Sequence, residues 1–239
     1  MKVALTGNSH VWSLRRGSGP PGLDALVFGL GNGKYERRPF THLSEDGVVL
    51  DVPQYAEALT RATGLRAIDT SFVWGFCSVN HNSRLYRDDT WLAYEPAAIR
   101  RGDRVAVSEE LLRTMIESDQ AGVRALFDHL LEAGVDFFAI SAPPPRRDNN
   151  GIRKGIRPEV VRYVDRTARE IWATWLDERK IPVLQPPPST VDDEGFLLEG
   201  YHSEVVRNGV PDRHHASAEY GTVVMAQVAD HVSSKVDVA

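Results

Sequence analysis

A serine near the start of the chain occupies a position suited to nucleophilic chemistry. Ser9 follows the apolar run 3–6 and the turn residues Gly7 and Asn8, so it lies where a strand is predicted to turn into a helix. Backbone N–H groups at a helix N-terminus favour developing negative charge, which suits a nucleophile that passes through an oxyanion. The alternative is a purely structural role, because serine is also a favoured N-cap residue.

An Asp–His pair near the end of the chain could activate such a serine. In the block Asp212-Arg213-His214-His215, the aspartate and the last histidine stand three residues apart in a predicted turn before the final helix. A serine hydroxyl needs a base to remove its proton, and the base needs a partner that fixes its tautomer. Two alternatives are open: a surface turn in which Asp212 caps the helix, and His214 as the base.

Together, the two ends of the chain resemble the SGNH (GDSL-like) hydrolase superfamily. The resemblance rests on Val-Ala-Leu-Thr-Gly-Asn-Ser at residues 3–9 and on Asp212-x-x-His215, and residues 215–221 look like the ending of some bacterial members. It implies a three-layer α/β/α sandwich with a mainly parallel sheet, no metal cofactor, and hydrolysis or transfer of acyl groups through an acyl-enzyme. In this scheme Ser9 is the nucleophile, His215 the base and Asp212 its partner.

The resemblance also implies an oxyanion hole made of the Ser9 backbone, a glycine N–H and an asparagine side chain. We expect the glycine to be Gly31, taken from the glycine-rich stretch 29–33, in which Gly29 and Gly33 are alternatives. We expect the asparagine to be Asn80, for which Asn82 is the alternative.

The first block departs from the family pattern at one position. The family usually has Gly-Asp-Ser, whereas this chain has Asn8 before the serine, which removes a charge beside the nucleophile. This departure motivates a second hypothesis, a catalytically weak member that binds a glycan or a partner protein. The presence of Ser9, Asp212 and His215 together favours the enzyme. A nucleotide-binding domain is a third hypothesis, but residues 29–33 lack the Gly-x-Gly-x-x-Gly spacing.

Further polar residues are predicted at the same rim of the sheet, where they would bind substrate: His10, His81, Asn82, Arg146 and Arg147. The two arginines begin a basic segment, 146–157, which is either a solvated loop or a lid that recognises an anionic donor or acceptor. Zinc held by the histidines 10, 81, 214 and 215 with Asp212 is an alternative, but no local metal-ligand spacing supports it, so no metal site is predicted.

Hydrophobic patterning predicts the elements that position these residues. Apolar runs predict strands over residues 3–6, 24–28, 67–76, 135–140 and 181–184, with an extra short strand at 47–50; all of the first five except 67–76 lead into glycine or proline. Amphipathic spacing predicts helices over 9–16, 53–62, 123–131, 158–176 and 218–232. Strands alternating with helices imply βαβ units and a mainly parallel sheet, and ligands bind beyond the carboxyl ends of such strands.

Composition favours a single globular domain over residues 1–239. The net charge of -5 and the pI near 5.9 argue against nucleic acid or anionic membranes as partners. The lone cysteine, Cys77, excludes an intramolecular disulfide and is predicted to be a buried small hydrophobe in a reducing compartment. No apolar run approaches the roughly 20 residues of a membrane span. We therefore expect a cytoplasmic enzyme that acts on a small-molecule or glycan ester.

Overall fold

Strands and helices alternate along most of the chain in the computed structural model, which describes residues 2–31 and 33–236. The strands, in chain order, are β1 (Val3–Gly7), β2 (Ala25–Val27), β3 (Thr41–Ser44), β4 (Gly47–Leu50), β5 (Val73–Val79), β6 (Tyr94–Pro96), β7 (Val105–Val107), β8 (Phe137–Ser141), β9 (Val183–Leu184), β10 (Val206–Arg207) and β11 (Val210–Pro211). The helices are α1 (Val11–Arg16), α2 (Pro53–Thr63), α3 (Ser83–Tyr86), α4 (Thr90–Ala93), α5 (Glu109–Glu132), α6 (Asn150–Arg153), α7 (Pro158–Glu178) and α8 (Ala218–Val236). Within the described ranges, no helix combines the length and apolar character needed to cross a membrane.

Five of these strands form a parallel sheet in the spatial order β2-β1-β5-β8-β9. Counted along the chain within the sheet, this order is 2-1-3-4-5, one of the common orders of doubly wound α/β proteins. The order reverses beside β1, so the carboxyl end of β1 faces the crevice where such folds bind ligands. Ser9 comes two residues after that end.

Side chains alternate between the two faces of the sheet, and helices cover both faces. On one face the sheet packs against α1 and α8, in a buried cluster that includes Val3, Leu5, Leu14, Val224 and Val228. On the other face it packs against α5 and α7, in a cluster that includes Ala4, Trp74, Phe76, Phe127 and Trp172. Each fully buried large aliphatic or phenyl side chain stabilises the fold by about 1.5–3 kcal/mol. The predicted three-layer α/β/α arrangement is therefore confirmed.

Several boundaries differ from the sequence expectations. The third strand of the sheet runs from Val73 to Val79 and not over 67–76, and Ile68 instead bridges to Val48 of the β3–β4 hairpin. Helix α5 begins at Glu109, well before residue 123, because Ser108 caps it by accepting the Leu111 N–H at 3.1 Å. The predicted loop 29–33 includes Asn32, which lies outside the described residues.

The first and last helices approach each other unusually closely at two glycines. A Cβ added to Gly221 of α8 would lie 1.9 Å from the carbonyl oxygen of Ser13, and one added to Gly17 would lie 2.5 Å from the Thr222 nitrogen. Only a hydrogen in place of the side chain permits this approach. The contact holds α1, the helix that follows Ser9, against the N-terminal end of α8, the helix that follows His215.

Replacing the glycine at this crossing should therefore destabilise the fold. We expect Gly221→Ala to lower the free energy of unfolding by about 1–3 kcal/mol, because the added methyl group overpacks the contact and forces the helices apart. Urea unfolding followed by circular dichroism measures the change. Gly200→Ala is the matched control, since a Cβ there meets nothing within 4 Å. Equal stability of the two variants would contradict the proposed tight crossing.

Candidate active site

Ser9, His215 and Asp212 form one hydrogen-bonded chain across the two ends of the sequence. Ser9 Oγ lies 2.8 Å from His215 Nε2, and Nδ1 of the same imidazole lies 2.8 Å from Asp212 Oδ2. The serine hydroxyl thus engages the histidine, and helix α1 begins without a side-chain cap. His214 lies elsewhere, with its Nε2 3.4 Å from Ser83 Oγ. The geometry therefore favours His215 over His214 as the partner of Ser9.

The turn before α8 keeps the Asp212 carboxylate charged. Oδ1 of Asp212 accepts the backbone N–H groups of His214 and His215 at 3.0 and 3.1 Å. Burial opposes ionisation, but the hydrogen bond and charge of His215 and these two N–H groups outweigh it, so the pKa of Asp212 lies well below its ordinary value. A charged Asp212 holds the proton of His215 on Nδ1 and leaves Nε2 free to accept the Ser9 proton.

Arg146 holds this turn from behind. Its guanidinium donates to the carbonyl oxygens of Asp212 at 2.7 Å and His215 at 3.4 Å, and it forms a two-point ion pair with Asp148 at 2.9 and 3.1 Å. The Arg146 side chain is buried. The structure therefore places it against the backbone of the Asp–His turn, a position that differs from that of an exposed lid residue. Whether Arg146 also contacts substrate stays a prediction.

A buried carboxylate accounts for the asparagine before Ser9. Asn8 Nδ2 lies 3.4 Å from Glu36 Oε2 and 3.2 Å from His81 Nδ1, while Asn8 Oδ1 accepts the His10 N–H at 3.1 Å. Asn8, Glu36 and His81 are all buried. An aspartate at position 8 would set a second carboxylate against Glu36, whereas the amide donates to it. The negative charge that an aspartate at position 8 would carry is therefore provided by Glu36, from the loop between β2 and β3.

Glu36 belongs to a buried ion-pair network that sequence reasoning missed. Arg84 lies 3.1 Å from Glu36 Oε2 and 3.0 Å from Asp119 Oδ2, and Arg37 lies 2.8 Å from Asp119 Oδ1. Burial raises the pKa of Glu36, but the hydrogen bond and charge of His81 and the charge of Arg84 more than offset this, so its pKa lies below the ordinary value. These residues follow no motif and come from one loop, from α3 and from α5, so no local sequence pattern indicates the network.

Two of the histidines predicted to bind substrate lie directly beside the triad. The His10 ring centroid is 4.8 Å from that of His81, 4.8 Å from that of His214 and 5.3 Å from that of His215. Burial and the neighbouring imidazoles hold the pKa of His10 and of His214 well below the ordinary value. Both rings are therefore neutral near pH 7, which avoids mutual repulsion in the pocket.

The two asparagines that competed for the oxyanion hole have different partners. Asn82 Nδ2 donates to Asp165 Oδ1 at 3.0 Å and so ties the loop after β5 to α7. Asn80 follows β5 with a positive φ of 58°, and its Nδ2 donates to Ser141 Oγ at 2.9 Å. Both side chains are buried, and both residues line a small cavity next to His10. Their roles toward a substrate stay predictions.

The loop that carries Gly31 is anchored to the end of β1. The Leu30 N–H donates to the Gly7 carbonyl oxygen at 2.8 Å, which brings the following residue to the rim of the sheet. Of the competing glycines, Gly29 packs near Trp12, and a Cβ on Gly33 would lie 2.8 Å from Glu36 Oε2. Gly31 as an oxyanion donor stays a prediction that this placement permits.

Arg147 lies on the surface, in ion pairs with other charged side chains. It contacts Asp192 at 2.8 Å and Glu194 at 3.3 Å, and its guanidinium lies 4.7 Å from the Phe196 ring centroid. In the same basic segment Arg157 is paired with the buried Glu95 at 2.7 Å. Much of the positive charge of residues 146–157 is therefore balanced within the protein.

The Asn8–Glu36 contact makes a specific prediction. We expect Asn8→Asp to lower the free energy of unfolding by about 3–5 kcal/mol, because it buries an uncompensated charge against Glu36. The double variant Asn8→Asp/Glu36→Gln should recover most of this loss, since the donor and acceptor are then exchanged. Chemical denaturation of the three proteins measures it. A double variant no more stable than Asn8→Asp would show that the two positions do not interact.

Comparisons with known proteins identify the fold. No protein-family model matches the sequence, and no curated protein matches it. Among solved structures, a Bacteroides fragilis NCTC 9343 protein provisionally described as an acylhydrolase has a TM-score of 0.51 at 11% identity, over 98% of this chain and 87% of its own. A GDSL-like lipase from Bacteroides thetaiotaomicron VPI-5482 has a TM-score of 0.49 at 11% identity, over 98% and 88%. An inhibitor-bound aryl esterase of M. smegmatis has a TM-score of 0.47 at 12% identity, over 98% of both chains.

At this level of identity the similarity concerns the fold alone, and the conclusion rests on the Bacteroides fragilis structure. The parallel sheet and the two helix layers agree with the three-layer arrangement that the resemblance of the blocks around Ser9 and His215 implied. The chain shares its three-layer α/β/α fold with this acylhydrolase-like structure, and it is the fold that the resemblance to the SGNH (GDSL-like) hydrolases implied.

Proposed function

We propose that the chain is a serine esterase that cleaves its substrate through an acyl-enzyme intermediate. The observation that carries the proposal is the Ser9–His215–Asp212 chain, in which both hydrogen-bonded contacts measure 2.8 Å. Nucleophile and base lie within hydrogen-bond reach, and a third group orients the base, which is the arrangement that covalent acyl transfer requires. The fold shared with an acylhydrolase-like structure supports the same chemistry.

The proposed reaction has two matched halves. Ser9 Oγ attacks the ester carbonyl carbon while His215 Nε2 takes its proton, and the carbonyl oxygen becomes an oxyanion. When the carbonyl re-forms, the bond to the leaving oxygen breaks and His215 returns the proton to that oxygen. Water then attacks the acyl-Ser9 ester in the same way and releases the acid. A sugar or other hydroxyl compound in place of this water would make the reaction an acyl transfer.

We infer that Asn80 helps to stabilise the oxyanion when its side-chain amide is flipped, so that Oδ1 and Nδ2 exchange positions. As placed, Asn80 Oδ1 is buried without a hydrogen-bond partner in the described chain, while Ser141 Oγ accepts from both Asn80 and Arg169. The oxygen and nitrogen of an amide occupy nearly equivalent positions. With the amide reversed, the Ser141 hydroxyl donates to Oδ1, still accepts from Arg169, and leaves the NH₂ group free to face the reacting oxygen.

Arg169 and Asp165 would fix this arrangement. Arg169 Nε lies 2.7 Å from Asp165 Oδ2, and its Nη1 donates to Ser141 Oγ at 2.8 Å. Burial lowers the pKa of Arg169, but Asp165 more than compensates, so the pKa is raised and the guanidinium remains a donor. Arg169, Asp165 and Ser141 are therefore proposed as positioning residues, with Asn80 as the group that touches substrate.

A groove of about 620 Å³, lined mostly by residues of α7 and of the segment 185–195, is the proposed site for the larger part of the substrate. Pro144 lines both this groove and the small cavity that contains His10 and Asn80, and Arg169 also borders the groove. Ion pairs such as Arg162–Glu194 and Arg166–Glu170 form part of its wall. These charged side chains offer hydrogen-bond partners to the hydroxyls of a glycan-type ester, while most of the lining surface is apolar and offers contacts to an acyl group.

The first experiment is covalent labelling. Exposure of the folded protein to a fluorophosphonate should give a single adduct on Ser9, detected by mass spectrometry of the digest. We expect no adduct in His215→Ala, and we expect Asp212→Asn to lower kcat on p-nitrophenyl acetate by about 10⁴-fold because the base loses its tautomer. A folded protein without an adduct would contradict the esterase and favour the glycan- or protein-binding hypothesis that Asn8 first suggested.

The oxyanion proposal has its own test. We expect Asn80→Ala to lower kcat by about 10²–10³-fold, with KM little changed, because one oxyanion donor is lost. Ser141→Ala should lower kcat by less, since it only misplaces that donor. If Ser141 acts through Asn80, the double variant will be no slower than Asn80→Ala. Independent, multiplicative losses in the double variant would assign Ser141 a different role.

A further inference from the structure

Three imidazoles converge beside the triad in a way that catalysis by Ser9 does not require. One nitrogen of each ring in the set His10, His81 and His214, here called the histidine cluster, lies within 4.8 Å of one nitrogen of each of the others. His10 and His81 are buried, and His214 is largely buried. Each of the three rings comes from a different loop at the carboxyl rim of the sheet. The histidine cluster therefore brings together residues that are far apart in the sequence.

The hydrogen bonds of the cluster are incomplete. Nδ1 of His10 is buried and has no partner among the described residues. The Nδ1 side of His81 faces Asn8 and Glu36, at 3.2 and 3.6 Å, which leaves its Nε2 directed elsewhere. A buried ring nitrogen without a partner is unfavourable in a folded protein, so an additional ligand would complete the site.

A cavity of suitable size adjoins the cluster. It measures about 20 Å³ and is lined by His10 and His214, together with Asn80 after β5 and Ser83 at the start of α3. A single water or a single metal ion fills a space of this size, and a larger ligand does not fit.

We propose that His10, His81 and His214 form a binding site for one divalent transition-metal ion of the Zn²⁺ type, next to Ser9. Three neutral imidazoles are a common ligand set for such ions, with water or substrate in the fourth position. Glu36 behind His81 matches the carboxylate that usually accepts the second N–H of a metal-bound histidine. Tetrahedral ligation separates ligand nitrogens by about 3.4 Å, so the nitrogens of the widest pair, which lie within 4.8 Å, must approach each other by at most about 1.4 Å.

The histidine cluster is separate from the proposed nucleophile–base pair, because His215 is committed to Ser9 and Asp212. The site is thus additional to the esterase proposal and does not depend on it. A metal ion there would lie close to the proposed base, since the His10 ring centroid is 5.3 Å from that of His215.

The test is calorimetric titration of ZnCl₂ into the full chain after chelator treatment and removal of the chelator. We expect saturable binding of one ion per chain. His10→Gln and His214→Gln should each weaken the affinity by more than tenfold, and Glu36→Gln, which removes only the partner of a ligand, by about 10–100-fold. Titration with Co²⁺ should give the visible absorption bands of a tetrahedral site, and these should be lost in the same variants.

His42→Gln is the matched control, because His42 is exposed and pairs with Asp51 at the β3–β4 hairpin. It should bind zinc as the unmodified chain does. Circular dichroism establishes that each variant is folded, and His214→Gln, at the least buried position of the three, keeps the test usable if the others do not fold. The absence of one-to-one binding, or binding unchanged in His10→Gln and His214→Gln, would overturn the proposal. Zinc binding in a chain that gives no fluorophosphonate adduct would support the metal site and reject the esterase separately.

Discussion

The approach of α1 to α8 is the contact on which the rest of the site depends. Ser9 and His215 are separated by 206 positions in sequence, yet their side chains lie 2.8 Å apart. Neither residue is held by a strand of the sheet. Each stands in a turn before a helix, and the two helices are fixed to each other where Gly221 meets the Ser13 carbonyl group. Hydrophobic packing of α1 and α8 on one face of the sheet drives this approach, and Gly221 permits the short distance between the two helices.

A second constraint is the distribution of buried charge around the nucleophile. Asn8 stands where the SGNH pattern usually has an aspartate, and its amide donates to Glu36. Glu36 is paired with Arg84, which also forms an ion pair with Asp119. Charged groups in a protein interior are stable only when paired and hydrogen-bonded. The asparagine and the network therefore have to be understood together, and the departure from the family pattern is compatible with a complete site.

Sequence patterning located the five strands of the sheet as apolar runs, but it misplaced the third, which spans Val73–Val79 and is followed by Asn80 and not by a glycine or proline. The blocks around Ser9 and His215 were also readable, since short spacing fixes each of them. The start of α5 was missed because Asp119 and Gly122 interrupt its apolar pattern. Asp119 pairs with two arginines, and a Cβ on Gly122 would lie 2.3 Å from the Glu36 carbonyl oxygen. The polar network depends on contacts between distant segments, which no single window of sequence contains.

The segment after β8 serves both the groove and the base. Pro144 lines the groove, whereas Arg146, two residues later, grips the backbone of the turn that carries Asp212 and His215. Arg169 also donates to the Pro143 carbonyl oxygen from the groove side. Divergence of substrate preference within such a scaffold is therefore constrained: changes in this segment alter what is bound and the reactivity of the base together.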